Sequence, residues 1–215
     1  MKKITSLIIV FSMLVAMLAC FDVSTAFAAT NGNCGANFGG TNAKWSLNTS
    51  TGVLTISGKG ATKDCGNVGS NQAPWKDSRD KIKSIVVEDG ITALGRYMFY
   101  KCEVAESVSL PSTLTAIGDT KFLEYGTFVD CKALTNVTLP SKLQTIGHAA
   151  FKGCSSLKSI KIPDSVTTIG TSAFEDCKAL STVTFGTGVK VTGNMAFRNS
   201  GVSKVKFSSS ITEIS

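Results

Sequence analysis

The sequence is poor in the residues that do chemistry. It has one histidine, His148, in 215 residues. A Ser-His-Asp or Cys-His pair needs a nucleophile within hydrogen-bond reach of an imidazole. Cys154 lies nearest in sequence, but it belongs to a column of inward-facing residues, whereas His148 falls in a turn and is expected at the solvent. Acid–base carboxylate pairs are equally hard to place. Glu88-Asp89 and Glu175-Asp176 are sequence neighbours in turns, where solvated carboxylates are the rule. No glycine-rich phosphate loop occurs. Beyond the N-terminus, no apolar run approaches the ~20 residues of a membrane-spanning helix. The expectation is therefore a chain that is not an enzyme, with no catalytic residues, no cofactor and no metal.

The N-terminus has what an export signal needs. Met1-Lys2-Lys3 is a basic start, Leu7 to Ala19 is an apolar run too short to cross a bilayer, and Ala26-Phe27-Ala28 supplies small residues before a cleavage site. A secretory signal over 1–28 follows. Leu18-Ala19-Cys20 also resembles the end of a lipobox, with Met17 where leucine is usual, so lipid anchoring at Cys20 is the alternative. Cleavage after Ala28 leaves 20 basic and 14 acidic side chains, a net charge of +6. Such a surface attracts acidic walls, glycans or membranes, although a solvated surface with a modest lysine excess needs no partner.

What the chain has in quantity is repetition. Phe99-x-x-Cys102, Phe128-x-x-Cys131, Phe151-x-x-Cys154 and Phe174-x-x-Cys177 share one spacing, and Phe197-x-x-Ser200 is a fifth copy. The period is 23 residues, with six extra between the first two copies. Other columns keep step: Ile85, Val108, Val137, Ile160, Val183 and Val205, then Val87, Leu110, Leu139, Ile162, Phe185 and Phe207. Pro111, Pro140 and Pro163 follow. Leu94, Ile117, Ile146 and Ile169 are each followed by glycine. The unit is L-x-x-V-x-L-P-x-x-L-x-x-I-G-x-x-A-F-x-x-C. Its V-x-L stretch alternates like a half-buried strand, proline ends that strand, glycine permits a positive φ at the turn, and A-F-x-x-C turns the chain back as a short helical or 3₁₀ turn. One unit cannot bury its apolar face; stacked units can. At about 4.8 Å per coil they form a solenoid roughly 25 Å long.

This unit resembles the BspA-type (Treponema-type) leucine-rich repeat of bacterial surface proteins. Ile160-Lys161-Ile162-Pro163-Asp164-Ser165-Val166-Thr167-Thr168-Ile169-Gly170 through Ala173-Phe174-Glu175-Asp176-Cys177 carry the match, which extends over about Ile82 to Ser215. The resemblance implies a right-handed, β-rich leucine-rich-repeat solenoid acting in adhesion, matrix binding or protein–protein contact.

Residues 29–80 lack the period and are expected to cap the first coil. Trp45-Ser46-Leu47, Thr51-Gly52 and Val53 to Gly58 read as a β-hairpin, and Ala73-Pro74-Trp75 leads into the repeats over 81–215, the last copy of which is incomplete. Trp45 and Trp75 suit either a glycan-binding module or a buried cap. Cys34 and Cys65 flank the hairpin and are candidates for a disulfide. The repeat cysteines face inward, either as a ladder of thiols or bridged between coils. A zinc site does not fit a straight row of ligands.

Two surfaces are candidates for binding. The outward strand positions form a flat face that grows basic toward the C-terminus: Ser107, Ser109, Asn136, Thr138, Lys161, Thr184, Lys204 and Lys206. A plain solvated sheet face is the alternative reading. The six-residue excess carries Phe122 and Tyr125, which either project to a partner or fold back as packing. The expected function is a secreted or cell-surface protein whose partner is an extracellular protein or glycan, such as host matrix or another bacterial surface, and not nucleic acid. The alternative is a non-catalytic accessory module of a larger secreted enzyme or wall-anchored protein, because the last copy stops at Ser215, where glycine is due.

Overall fold

The computed structural model describes residues 30–120 and 126–207. The chain begins with three antiparallel strands, β1 (Thr30–Asn33), β2 (Ala43–Asn48) and β3 (Val53–Gly58), followed by a short β4 (Gly60–Ala61). The hairpin predicted from the sequence is β2–β3. Trp45 stands opposite Ile56 and Leu47 opposite Leu54, so alternate residues enter the core and the polar ones between them face out. The Asn48 side chain closes the turn by accepting the N–H groups of Ser50 and Thr51 at 3.0 and 3.2 Å.

From here each coil supplies one strand to each of two parallel sheets. The pairs are β5 (Ser84–Val87) with β6 (Ile91–Leu94), β7 (Ser107–Ser109) with β8 (Ala116–Ile117), β9 (Asn136–Val137) with β10 (Thr145–Ile146), β11 (Ser159–Lys161) with β12 (Thr168–Ile169), and β13 (Thr182–Phe185) with β14 (Val191–Thr192). The last described strand is β15 (Lys204–Phe207). The nine-stranded sheet runs β1-β2-β3-β5-β7-β9-β11-β13-β15, and the six-stranded sheet joins β4 through the even strands to β14. This is the expected leucine-rich-repeat solenoid. Register follows the columns: Ile85 pairs with Val108, Val108 with Val137, and Val183 with both Ile160 and Val205. A slip of one residue would turn every such column to the solvent.

The core lies between the sheets and the arc that closes each coil. Its axis is an aromatic stack. Trp75, Phe99, Phe128, Phe151, Phe174 and Phe197 follow one another at centroid separations of 5.0 to 5.9 Å, with the last four rings within 6° of parallel to their neighbours. Each fully buried side chain of this size contributes about 1.5–3 kcal/mol. The coils gain it only by stacking, because from Phe99 onward each ring packs on its own repeat copy, and Trp75 of the cap covers the first.

Two local expectations are corrected. The A-F-x-x-C arc is not helical. Each of the later coils bends there through two left-handed residues, Ala149 and Gly153, Ser172 and Asp176, and Met195 and Asn199, with φ between 48° and 73°. Alternating with N–H groups that bond within the turn, such as Lys152 to Ala149 at 3.1 Å, others thus reach the next coil: Phe128 donates to the Ala150 carbonyl at 2.8 Å, Phe151 to Ala173 at 2.8 Å, and Phe174 to Ala196 at 2.7 Å. A helix would have spent them within its own turn. The glycine column also has a different cause. Gly118 has positive φ, but Gly147 and Gly170 are needed for close approach. A Cβ there would lie 2.5 Å from the Asp119 carbonyl oxygen and 2.5 Å from the His148 nitrogen.

Candidate binding surface

The outward face of the nine-stranded sheet is assembled as the alternation predicts. Ser84, Ser107, Asn136, Ser159, Thr182 and Lys204 are neighbours in register across six strands. In the adjoining column Ser109 sits beside Val86, and Lys161 beside Thr184 and then Lys206. Thr138 lies just past the end of β9 and is exposed. The structure therefore brings Ser107, Ser109, Asn136, Thr138, Lys161, Thr184, Lys204 and Lys206 onto one face. Phe122 and Tyr125 lie outside the described residues.

The face is not flat throughout. Strand β9 is only two residues long, and Ser159 opposite Asn136 is its one paired position with β11. One coil further on, the ladder extends past the strand end, with Ile162 N–H donating to the Thr184 carbonyl at 2.8 Å. Among the described residues no counterpart bond joins Leu139 to Lys161. The coils part there, leaving an open groove of about 620 Å³. Asn136, Thr138, Ser159 and Lys161 line it, Leu139, Ile162 and Pro163 supply apolar wall, and Asp164 and Ser165 also border it. Asp164 and Ser165 were not legible as groove residues, because they lie beyond the strand, where two-residue alternation no longer assigns a side.

The electrostatics of the face are one-signed. No strand of the nine-stranded sheet contains an aspartate or glutamate, whereas Lys44, Lys161, Lys204 and Lys206 project from it. Acidic side chains are placed instead at turns and arcs, where they bind neighbouring coils. Asp89 accepts from Ser112 N–H at 3.0 Å, Asp164 from Thr187 N–H at 2.9 Å, and Asp64 from Arg96 N–H at 2.9 Å. Glu103 pairs with Lys132 at 3.0 Å.

The remaining candidates are structural. His148 is not at the solvent but buried, with 8% of its surface exposed. Its Nδ1 accepts the Thr171 N–H at 2.9 Å, and its Nε2 bonds the Thr120 carbonyl. Glu175 is likewise not a solvated turn residue. It is buried and pairs with Lys152 at 3.0 Å and Arg198 at 3.6 Å. Burial pulls its carboxyl upward, but hydrogen bonds from Ser172 and Lys152 and the charges of Lys152 and Arg198 outweigh this and hold it below the ordinary value. Trp45 and Trp75 are both buried, edge to face at 5.5 Å, which removes them as a sugar platform. The six described cysteines, Cys34 and Cys65 among them, are all free and buried, so neither the Cys34–Cys65 bridge nor bridges between coils are present. Among the described residues no three His, Cys, Asp or Glu side chains converge as metal ligands, and no helix is long and apolar enough to cross a membrane.

Stacked 23-residue coils, a parallel sheet on each side and a Phe-x-x-Cys arc define a leucine-rich repeat protein. The chain belongs to the BspA type leucine rich repeat family, whose model matches residues 77–126 and 121–215 in six copies. A leucine-rich repeat protein from Eubacterium ventriosum is similar in structure, with a TM-score of 0.69 and 26% identity over 85% of this chain and 45% of its own. A leucine rich cell surface protein from Faecalibacterium prausnitzii shares the fold, with a TM-score of 0.50 and 21% identity over 80% of this chain and 50% of its own. The chain thus spans about half the length of these solved proteins. No curated protein matches it.

Proposed function

We propose that this is an exported, non-catalytic binding protein that uses the outward face of its nine-stranded sheet to hold an extracellular protein or glycan in adhesion. Residues 1–28, which lie outside the described residues, are the export signal; 29–80 cap the first coil; 81–215 carry the repeats. The observation that carries the reading is the acid-free sheet face with Lys161, Lys204 and Lys206 on it. A sheet that needed only solubility would mix both signs of charge. The family supports the reading too, since solenoids expose extended surfaces of repeated columns to partners. The cell-surface protein of F. prausnitzii fits the same location.

The test is capture of extracellular matrix proteins and of whole bacterial surfaces by the immobilised chain, with Lys161→Glu/Lys204→Glu/Lys206→Glu beside it. Loss of capture in the folded variant is the expected result. Capture that survives the charge reversal and disappears only on unfolding would rule out this face.

A further inference from the structure

Resting on that reading of the sheet face, we infer that its ligand is an acidic polysaccharide, laid across the strands from the groove at β9 to the lysines of β15. Four strands carry the path. Asn136 and Thr138 stand at one end, Ser159 and Lys161 on β11, Thr182 and Thr184 on β13, and Lys204 and Lys206 on β15. With neighbouring strands about 4.8 Å apart, the path is about 14 Å long, and Lys204 and Lys206 are about 6.6 Å apart along their strand.

Charge argues for an anionic ligand. Lys161, Lys204 and Lys206 are exposed, and none of the ion pairs among the described residues uses them. No carboxylate projects from any strand beneath the path. Asp164 lines the groove, and one of its oxygens is held by Thr187 N–H at 2.9 Å. The lysines are spread over two strands, so they suit a polymer with repeated charges better than a single small anion.

The side chains between the lysines argue for a sugar. Every outward position on the path that is not lysine is Ser, Thr or Asn. These groups both donate and accept hydrogen bonds, which matches a ligand carrying several hydroxyls for each anion. Leu139 and Lys161, between which the ladder opens, both line the same groove. The outward positions of the path carry no aromatic or arginine anchor of the kind that concentrates binding energy in protein interfaces; Phe207, half exposed at the end of β15, belongs to the inward column and stacks on Phe185. Without an aromatic, a neutral sugar has no ring to stack on, so the affinity must come from charge.

The experiment titrates the full chain with heparin and hyaluronan as sulfated and carboxylate probes, neutral dextran as the uncharged control, and poly-glutamate as an acidic peptide. Expected is binding of at least one acidic polysaccharide, none of dextran, and weakening as salt rises, because exposed charges are screened. Lys161→Ala/Lys204→Ala/Lys206→Ala should weaken binding by about tenfold or more, and Lys190→Ala, exposed beside β14 of the other sheet, should leave it unchanged. Poly-glutamate bound as tightly as heparin would overturn the sugar assignment. No polyanion binding, with protein capture still lost on charge reversal of the same lysines, would refute the polysaccharide and leave the binding face standing. Absence of both would refute the two together.

Discussion

The thiol of Cys154 donates to the carbonyl oxygen of Phe128, one coil away, at 3.2 Å. Cys131 does the same to Phe99 at 3.2 Å and Cys177 to Phe151 at 3.1 Å. Each thiol is thus a second donor to a carbonyl of the preceding coil that already accepts a backbone N–H from its own turn.

Burial makes these thiols hard to ionise. It pushes Cys102 and Cys177 up to about 12 and Cys131 and Cys154 well above the ordinary value of 9.0. Folding therefore favours the protonated thiol. The contribution is complete below the ordinary value and is lost as pH rises from about 9 toward about 12, because the unfolded chain releases protons that the folded chain retains. Denaturant midpoints measured between pH 8 and 11 should fall steadily, and a thiol reagent at neutral pH should label the repeat cysteines only after unfolding. Rapid labelling of the native chain would contradict this packing.

Phe174 is the second case. It is fully buried and stacks on Phe151 and Phe197. Phe174→Ala should cost about 3–5 kcal/mol, whereas Phe197→Ala, half-buried in the last described coil, should cost distinctly less. Urea unfolding of the two variants decides it, and equal losses would mean that the stack does not couple the coils.

Much of this was legible in the sequence. The Phe and Val columns, the outward row from Ser84 to Lys204 and the β2–β3 hairpin all follow from period and alternation, because burial in a solenoid is the same decision repeated in every coil. The arc was not legible. Ala149, Ser172 and Met195 give no glycine-like signal for a left-handed backbone, which coil-to-coil hydrogen bonding imposes on them. Nor was the groove, since the shortness of β9 depends on how its ladder meets β11 and not on any residue type. Glu175 looked like a solvated turn residue because its partners, Lys152 and Arg198, come from the coils on either side.

That pairing gives a third expectation. The Glu175 carboxyl is held below its ordinary value, so its contribution is present above the unfolded value of about 4.3 and is lost as pH falls below it. Glu175→Gln keeps the shape and removes the charge. Because Lys152 and Arg198 are about half exposed, the cost is discounted to about 1–2 kcal/mol. It should appear at pH 7 and shrink toward pH 3. A loss independent of pH would point to packing and not to the ion pairs.

His148 makes the sharpest prediction. A backbone N–H can only donate, so the Thr171 N–H at 2.9 Å fixes Nδ1 as an acceptor without a proton. The ring must then carry its proton on Nε2, which donates to the Thr120 carbonyl. The side chain thereby ties the coil before it to the coil after it, close to the six-residue excess. Nitrogen chemical shifts of the labelled ring should report the Nε2–H tautomer; the opposite tautomer would break the assignment. His148→Ala leaves the Thr171 N–H without this acceptor in a half-buried turn and should cost about 1–3 kcal/mol. His148→Phe, which fills the space but accepts nothing, should recover little of it. If phenylalanine restores full stability, the ring acts by volume alone and the two hydrogen bonds contribute nothing.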